Sequence, residues 1–499
     1  MDLERNCHIR LANWHDMYQA RVATEKGYLA PRDVNQVAGM FPYAAVNNYY
    51  RAVGKHFVAP RVLDELTRLY QCVSQIDSTS LHSAGLTRAN ASSKILLDFL
   101  DCCLDKHFGT YDYKSYIGLR LFIDDSLPAD TCFSDAVTNR LSLLKLLLYD
   151  VYMFEARSWL GDESATQERS NHAVMLKRMD NIVRCLHVLN RSTGHIAPPS
   201  PEEQAALSML ERVPGDKVTE HDVETRLALV EMLHQAACCG GGTVPIDLLL
   251  RLSMMPVYVN HEEYNFIRVL QAFEVVFNII ISGLQVCINA VYDQRLRDAS
   301  RVMARLCEIF SVDLSLFRIL VTMQPEDFRI FRTYTEGASA IQSPQYKMIE
   351  VLMGTPSRAR RESPAFKYVP QIRIFLERTG MSLDKVIRER VRSAYEGLST
   401  GRPTDAHTLL LFQGINRLDN MFLDWKKRHF GVANRMLGDT VGTGGADVIN
   451  YLGRFKGELF FPELDRLLGE APVSTGQAGV TATVRPLGWF QSNQLEAVI

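Results

Sequence analysis

No sign of charge dominates this chain. Across 499 residues, 55 basic side chains face 57 acidic ones, a formal net charge of -2. Such a balance gives no electrostatic reason to bind nucleic acid or an anionic membrane. Long apolar runs are scarce too. The longest, around Val275 to Leu284, is broken by Asn278 and is too short to span a bilayer. Met1-Asp2-Leu3-Glu4-Arg5 has no apolar stretch behind a basic start, so no secretory leader is expected there. The ten cysteines include the adjacent pairs Cys102-Cys103 and Cys238-Cys239, and their spacings fit neither a disulfide framework nor a CxxC zinc site. Reduced thiols in a cytoplasmic protein are the expectation. Strand-like alternation is also rare. With no βαβ rhythm, Rossmann and barrel folds are disfavoured.

What is there is helical. Leu143 to Phe154 is apolar nearly all round, as a buried helix would be. Phe266, Val269, Leu270, Phe273, Val276, Phe277 and Ile280 recur at three- and four-residue steps, which puts them on one helix face. The expected fold is all-α. Cys239-Gly240-Gly241-Gly242-Thr243-Val244-Pro245 is the strongest punctuation. It divides a helical N-terminal part, residues 1–240, from a helical bundle over residues 243–470. The first part echoes the second weakly and could be a degenerate copy, a dimerisation scaffold or a cover for a site. Residues 471–499 read as a loosely ordered tail. Ser357 to Pro364 reads as an exposed basic loop. Asp124-Asp125 and Asp101 with Asp105 read as charge pairs on solvated faces, with no metal-ligand spacing.

Three segments of the C-terminal half carry chemistry. In the first, Phe328 and Arg332 stand one helical turn apart. An arginine beside aromatic rings suits a bidentate clamp on a carboxylate, although a surface arginine or a structural ion pair has the same pattern. In the second, Trp425 and His429 share a helix face. A neutral imidazole can ligate haem iron, but a lone histidine is more often a core or surface residue. In the third, Gly438 to Gly445, glycines let the backbone approach a ligand and Thr443 offers a hydroxyl. This loop lacks the Lys-Ser/Thr ending of a phosphate-binding P-loop, and a flexible helix connection would look alike.

Taken in order, these segments resemble the tryptophan 2,3-dioxygenase family, within the haem-dependent aromatic oxygenases. Met323 to Gln342-Ser343-Pro344-Gln345-Tyr346 with Glu350 is similar to the family's PASGFQS-type stretch. Trp425 to Gly445 is similar to its proximal-histidine helix and GTGG loop, and Glu262 to Phe277 to its distal helix. The resemblance implies haem b, with His429 as the axial iron ligand and Trp425 at the haem edge. It implies that Arg332, Thr443 and Gly442 hold the amino-acid head, and that Phe266, Phe328 and Ser339 line the indole pocket or haem edge. A cation, a hydroxyl and a glycine loop can hold a zwitterion, while phenyl rings hold its aromatic side chain. The partners implied are an aromatic amino acid and O2, in a homo-oligomer.

One position departs from the family. Its distal histidine falls on Leu270, which accepts no hydrogen bond, so a buried indole N–H there would lose about 1–3 kcal/mol unless another group accepts it. The expected activity is therefore oxygenation of the ring of tryptophan or a related aromatic amino acid, as in a 2,3-dioxygenase. The alternatives are a haem monooxygenase or hydroxylase acting on a modified aromatic amino acid in a biosynthetic pathway, or a haem-binding protein without turnover. Arg332, Ser339 and Thr443 beside His429 weigh against the last, because a pure haem binder needs no carboxylate clamp.

Overall fold

The computed structural model describes residues 2–24, 31–74, 91–121, 133–162, 170–211, 218–238, 246–338, 340–367, 369, 372, 374–375, 381–400, 405–438 and 448–470. Every regular element among them is a helix, so the fold is all-α. Five helices come first: α1 (Asp2–Thr24), α2 (Pro31–Gly39), α3 (Tyr43–Val53), α4 (Pro60–Ser74) and α5 (Ala91–Phe108). They enclose a core of their own around Leu11, Trp14, Val46, Tyr50, Leu66 and Phe99.

A larger core runs from Tyr113 to Leu467. Its first helices are α6 (Phe133–Trp159), α7 (His172–Thr193), α8 (Pro201–Glu211) and α9 (Glu220–Cys238). Then come α10 (Ile246–Leu252), α11 (His261–Tyr292), α12 (Leu296–Leu320), α13 (Pro325–Arg332) and α14 (Pro344–Met353). The last are α15 (Leu383–Arg390), α16 (Arg392–Thr400), α17 (Ala406–Leu437), α18 (Val448–Phe455) and α19 (Pro462–Glu470).

α11 is the axis of this core. The Asn260 side chain caps its first turn by accepting from the Glu262 amide at 2.8 Å. Its apolar positions predict one buried face, yet the helix is buried nearly all round, because α6, α12, α14 and α15 pack on different sides of it. The run Val275 to Leu284 thus belongs to a 32-residue helix, the one described helix long and apolar enough to cross a membrane by length and composition. Of its most apolar window, 72% is buried inside the protein, as in the core helix of a bundle. α17 packs along α12 and starts at Asp405, which accepts from the His407 and Thr408 amides. It ends at Gly438, whose positive φ of 55° favours a residue without a side chain.

A fully buried polar network ties the front of α11 to its neighbours. Arg178 on α7 donates to Glu155 on α6 and to Glu262 on α11, both at 2.7 Å, and to the Thr322 hydroxyl at 2.8 Å. His261 and Asn265 add hydrogen bonds to Glu155. The first five helices join the bundle through the backbone: the Lys55 amide donates to the Pro256 carbonyl at 2.8 Å and the His56 amide to the Val257 carbonyl at 3.2 Å. Asp105, which the sequence places on a solvated face, is instead buried and accepts from Lys55 at 2.6 Å. Eight of the ten cysteines lie among the described residues, all as free thiols.

Candidate active site

A cavity of about 820 Å³ opens between α11, α13, α14 and α17. Three of its walls carry residues singled out in the sequence: Phe266 and Leu270 on α11, Phe328 and Arg332 on α13, and Trp425 and His429 on α17. Helical spacing aligns each pair, since residues four apart lie one above the other. Pro325 opens the short α13, and the Arg332 guanidinium lies over the Phe328 ring, 5.5 Å from its centroid. Phe266 meets Phe328 edge-on at 5.5 Å. Ser339, Gly442 and Thr443 lie outside the described residues.

On the α17 wall, the His429 ring stacks on Trp425, centroids 5.0 Å apart and planes at 23°. Trp425 in turn stacks on Tyr346 at 5.0 Å and is met edge-on by Phe273, Phe277 and Phe317. His429 is partly accessible and lines the cavity. Burial, reinforced by Lys347, pushes its pKa down to about 4. Its imidazole is therefore neutral near pH 7, the state in which a ring nitrogen can donate electrons to a metal. Behind Trp425 lies Asp313, fully buried; burial pushes its carboxyl well above the usual range, opposed by the indole N–H and reinforced by Glu274.

Two further groups in the wall escaped the sequence reading. The first is cationic. Lys347 on α14 pairs with Glu350 at 3.0 Å, and Arg360 pairs with the same carboxylate at 2.6 Å. Lys426 on α17 lines the cavity beside them. Burial opposes ionisation of Glu350, but Lys347 and Arg360 hold it below its usual pKa. Burial also pushes Lys347 down to about 8. Lys347 and Arg360 share one carboxylate, while Lys426 donates to the Glu458 carbonyl at 2.6 Å; cations in a cavity wall are a setting for an anionic ligand. Arg360 belongs to the stretch read as an exposed basic loop; Arg358 and Arg361 there are exposed, but Arg360 turns inward. The spacing of Lys347 and Glu350, three apart beside the Gln342-Ser343 stretch, was the available signal.

The second group is a helical turn, Tyr113–Tyr116, capped by Asp112. Both tyrosines line the cavity, and the Tyr113 hydroxyl donates to Glu274 at 3.0 Å. The Tyr116 hydroxyl lies beside Glu263, a fully buried carboxyl that burial pushes up to about 8 and that accepts from the Val257 and Tyr258 amides. These tyrosines precede the rest of the wall by some 150 residues in sequence, so no local pattern announces them. Among the described residues no His/Cys/Asp/Glu cluster could hold a bare metal ion. His234 and Cys238 on α9 face each other at 3.8 Å, away from the cavity.

These features fit a haem. A neutral histidine points into an aromatic-walled cavity, and cations in its wall stand where carboxylates could be met.

Comparison with known proteins agrees. A family model described as tryptophan 2,3-dioxygenase matches residues 248–389. The tryptophan 2,3-dioxygenase of Bordetella parapertussis is 26% identical over 255 residues, covering 46% of this chain and 89% of that protein. That of Bacillus cereus is 27% identical over 253 residues, covering 45% and 89%, and that of Pseudomonas fluorescens 27% over 240, covering 42% and 84%. The C-terminal half of the chain resembles this family.

Proposed function

We propose that the cavity binds haem b through His429 and that the chain is a haem-dependent oxygenase acting on tryptophan or a related aromatic amino acid. The observation that carries this reading is the His429 ring, stacked on Trp425, in one cavity that Arg332 and the phenyl rings also line. When bound, haem supplies the activation of O2.

The chain's own residues do the rest. His429 would hold the haem iron, and Trp425, stacked on it, would fix the tilt of the imidazole. Lys347, Arg360 and Lys426 would meet the haem carboxylates. Arg332 clamps the substrate carboxylate, while Phe266 and Phe328 hold the aromatic ring. By resemblance, Ser339 stands near the ring and Gly442 and Thr443 at the amino-acid head. Holding the ring in one pose and keeping water out are the protein's main contributions. In this reading the haem cavity is walled chiefly by residues of the 243–470 part, with Tyr113 and Tyr116 contributed by the part before it.

Leu270 favours a second reading. A leucine cannot accept the indole N–H, so an N-substituted indole or another modified ring suits this wall as well as tryptophan, and insertion of one oxygen atom becomes the alternative outcome. Absorption spectra of the purified protein, oxidised, reduced and with CO, test the haem. A Soret band that shifts on reduction and CO binding, and is lost in His429→Ala, supports the assignment. Absence of haem after expression with a haem precursor sinks it. O2 uptake and product mass with tryptophan and with 1-methyltryptophan then separate the two substrate readings.

A further inference from the structure

The first five helices have no counterpart in the proposed chemistry, yet they grip the segment that follows Arg332. Residues 333–338 run directly from the end of α13, and Thr335 and Ala338 are part of the cavity wall. The Thr335 hydroxyl donates to the Arg332 carbonyl at 2.8 Å, so this segment and the base of the arginine move together.

Lys106, near the end of α5, reaches this segment twice. Its ammonium donates to the Tyr334 carbonyl at 2.8 Å and pairs with Glu336 at 2.9 Å. It also lies 4.3 Å from the Tyr111 ring centroid, which limits its rotamers. His56, in the turn after α3, meets the same Glu336 carboxylate at 3.3 Å. Phe57 packs edge-on against Tyr334 at 5.2 Å, and Tyr258 stacks flat on Tyr334 with planes 2° apart. The grip holds a conformation the segment would not choose alone. Glu336 has a φ of 46°, in the left-handed region where a side chain is disfavoured, and Gly337 follows at 92°.

We infer that the N-terminal helices clamp the substrate end of the cavity, and that Lys106 is a positioning residue which fixes residues 333–338 and, through them, Arg332. The clamp's geometry stands independently of the ligand; its effect on tryptophan rests on the proposed function. A flexible 333–338 segment would let the guanidinium sample poses in which it no longer meets a carboxylate, so the ligand would bear the cost of ordering it.

The test uses the full chain and Lys106→Met, which removes the charge and keeps the length. Hydrogen exchange of peptides covering residues 333–343 is expected to accelerate by about tenfold or more, while α12 and α17 stay protected. Tryptophan affinity, read as KM, is expected to weaken about tenfold with kcat changed by less than about twofold, and the Soret and CO spectra to stay put. Lys106→Arg should restore both readouts. Glu336→Gln, at a half-exposed side chain that the fold tolerates, should loosen the same peptides. Unchanged exchange at 333–343 in both Lys106→Met and Glu336→Gln overturns the clamp. A loosened segment with unchanged tryptophan affinity overturns the positioning of Arg332. If the parent protein itself binds no tryptophan, the substrate reading has failed, and the exchange experiment still decides the clamp.

Discussion

Two buried polar clusters sit within one bundle and are built on opposite principles. In the cluster around Arg178, two carboxylates, Glu155 and Glu262, share one guanidinium, and His261, Asn265 and Thr322 add hydrogen bonds, all of it shut away from the cavity. In the cluster around Glu350, two cations, Lys347 and Arg360, share one carboxylate and line the cavity. Burying charge costs free energy unless partners repay it. The first cluster is repaid internally and fastens helices. The second lines the cavity, where the proposed function puts an anionic ligand. Burial alone does not separate the two clusters; the cavity does, since only the second lines it.

The comparison can be broken by experiment. The largest effect is expected at His429, which belongs to neither cluster but faces the same cavity as the second. His429→Ala should weaken haem binding by more than the ~100-fold that loss of an outer-shell partner costs, read by Soret titration, with little change in the unfolding of the haem-free protein. Next comes Arg178→Met. It strands two buried carboxylates and should cost about 3–5 kcal/mol in urea unfolding, without moving the absorption spectrum of whatever folded protein remains. Lys347→Met should do the reverse: haem affinity falls by about tenfold, while the haem-free protein is as stable as before or more so. If Lys347→Met unfolds the protein and Arg178→Met does not, the contrast is wrong.

A smaller effect sharpens the contrast through pH. Although burial alone would raise it, Arg178 and His261 hold the Glu155 carboxyl down to about 2, against 4.5 for the unfolded chain. A depressed carboxyl stabilises the fold above pH 4.5, and that contribution drains away as the pH falls from 4.5 toward 2. Lys347 is depressed from 10.5 to about 8, so the unfolded chain holds its proton where the native state does not. Its contribution is complete above pH 10.5 and is lost as the pH falls from there to about 8. Unfolding midpoints of the haem-free protein against pH, subtracted between parent and Lys347→Met, should show a difference that changes across that upper window, besides the acid-side changes at Glu350 and His429, whose protonation Lys347 also influences.

Much of the fold was legible because helices announce themselves locally. The apolar run at Leu143 to Phe154 and the three-and-four spacing from Phe266 to Ile280 both lie within described helices. Phe328 with Arg332, and Trp425 with His429, were legible for the same reason: each pair needs only one helical turn to align. What stayed hidden depends on contacts between distant segments. Tyr113 and Tyr116 join the wall across a gap that no periodicity bridges. Arg360 turns inward only because Glu350, on another helix, offers it a carboxylate. Asp105 is buried because Lys55, fifty residues earlier, arrives beside it.

One helix carries both principles in succession. Glu262 on the first turn of α11 belongs to the internal network, and Phe266, Leu270 and Glu274 follow at four-residue steps along the cavity wall. Anchor and wall are thus set by a single register. Inserting or deleting one residue between Glu262 and Phe266 would turn everything beyond it by about 100°, carrying the wall away from the cavity while the anchor stayed in place. Substitutions along this stretch can change what the cavity accepts; a change in its length cannot be absorbed.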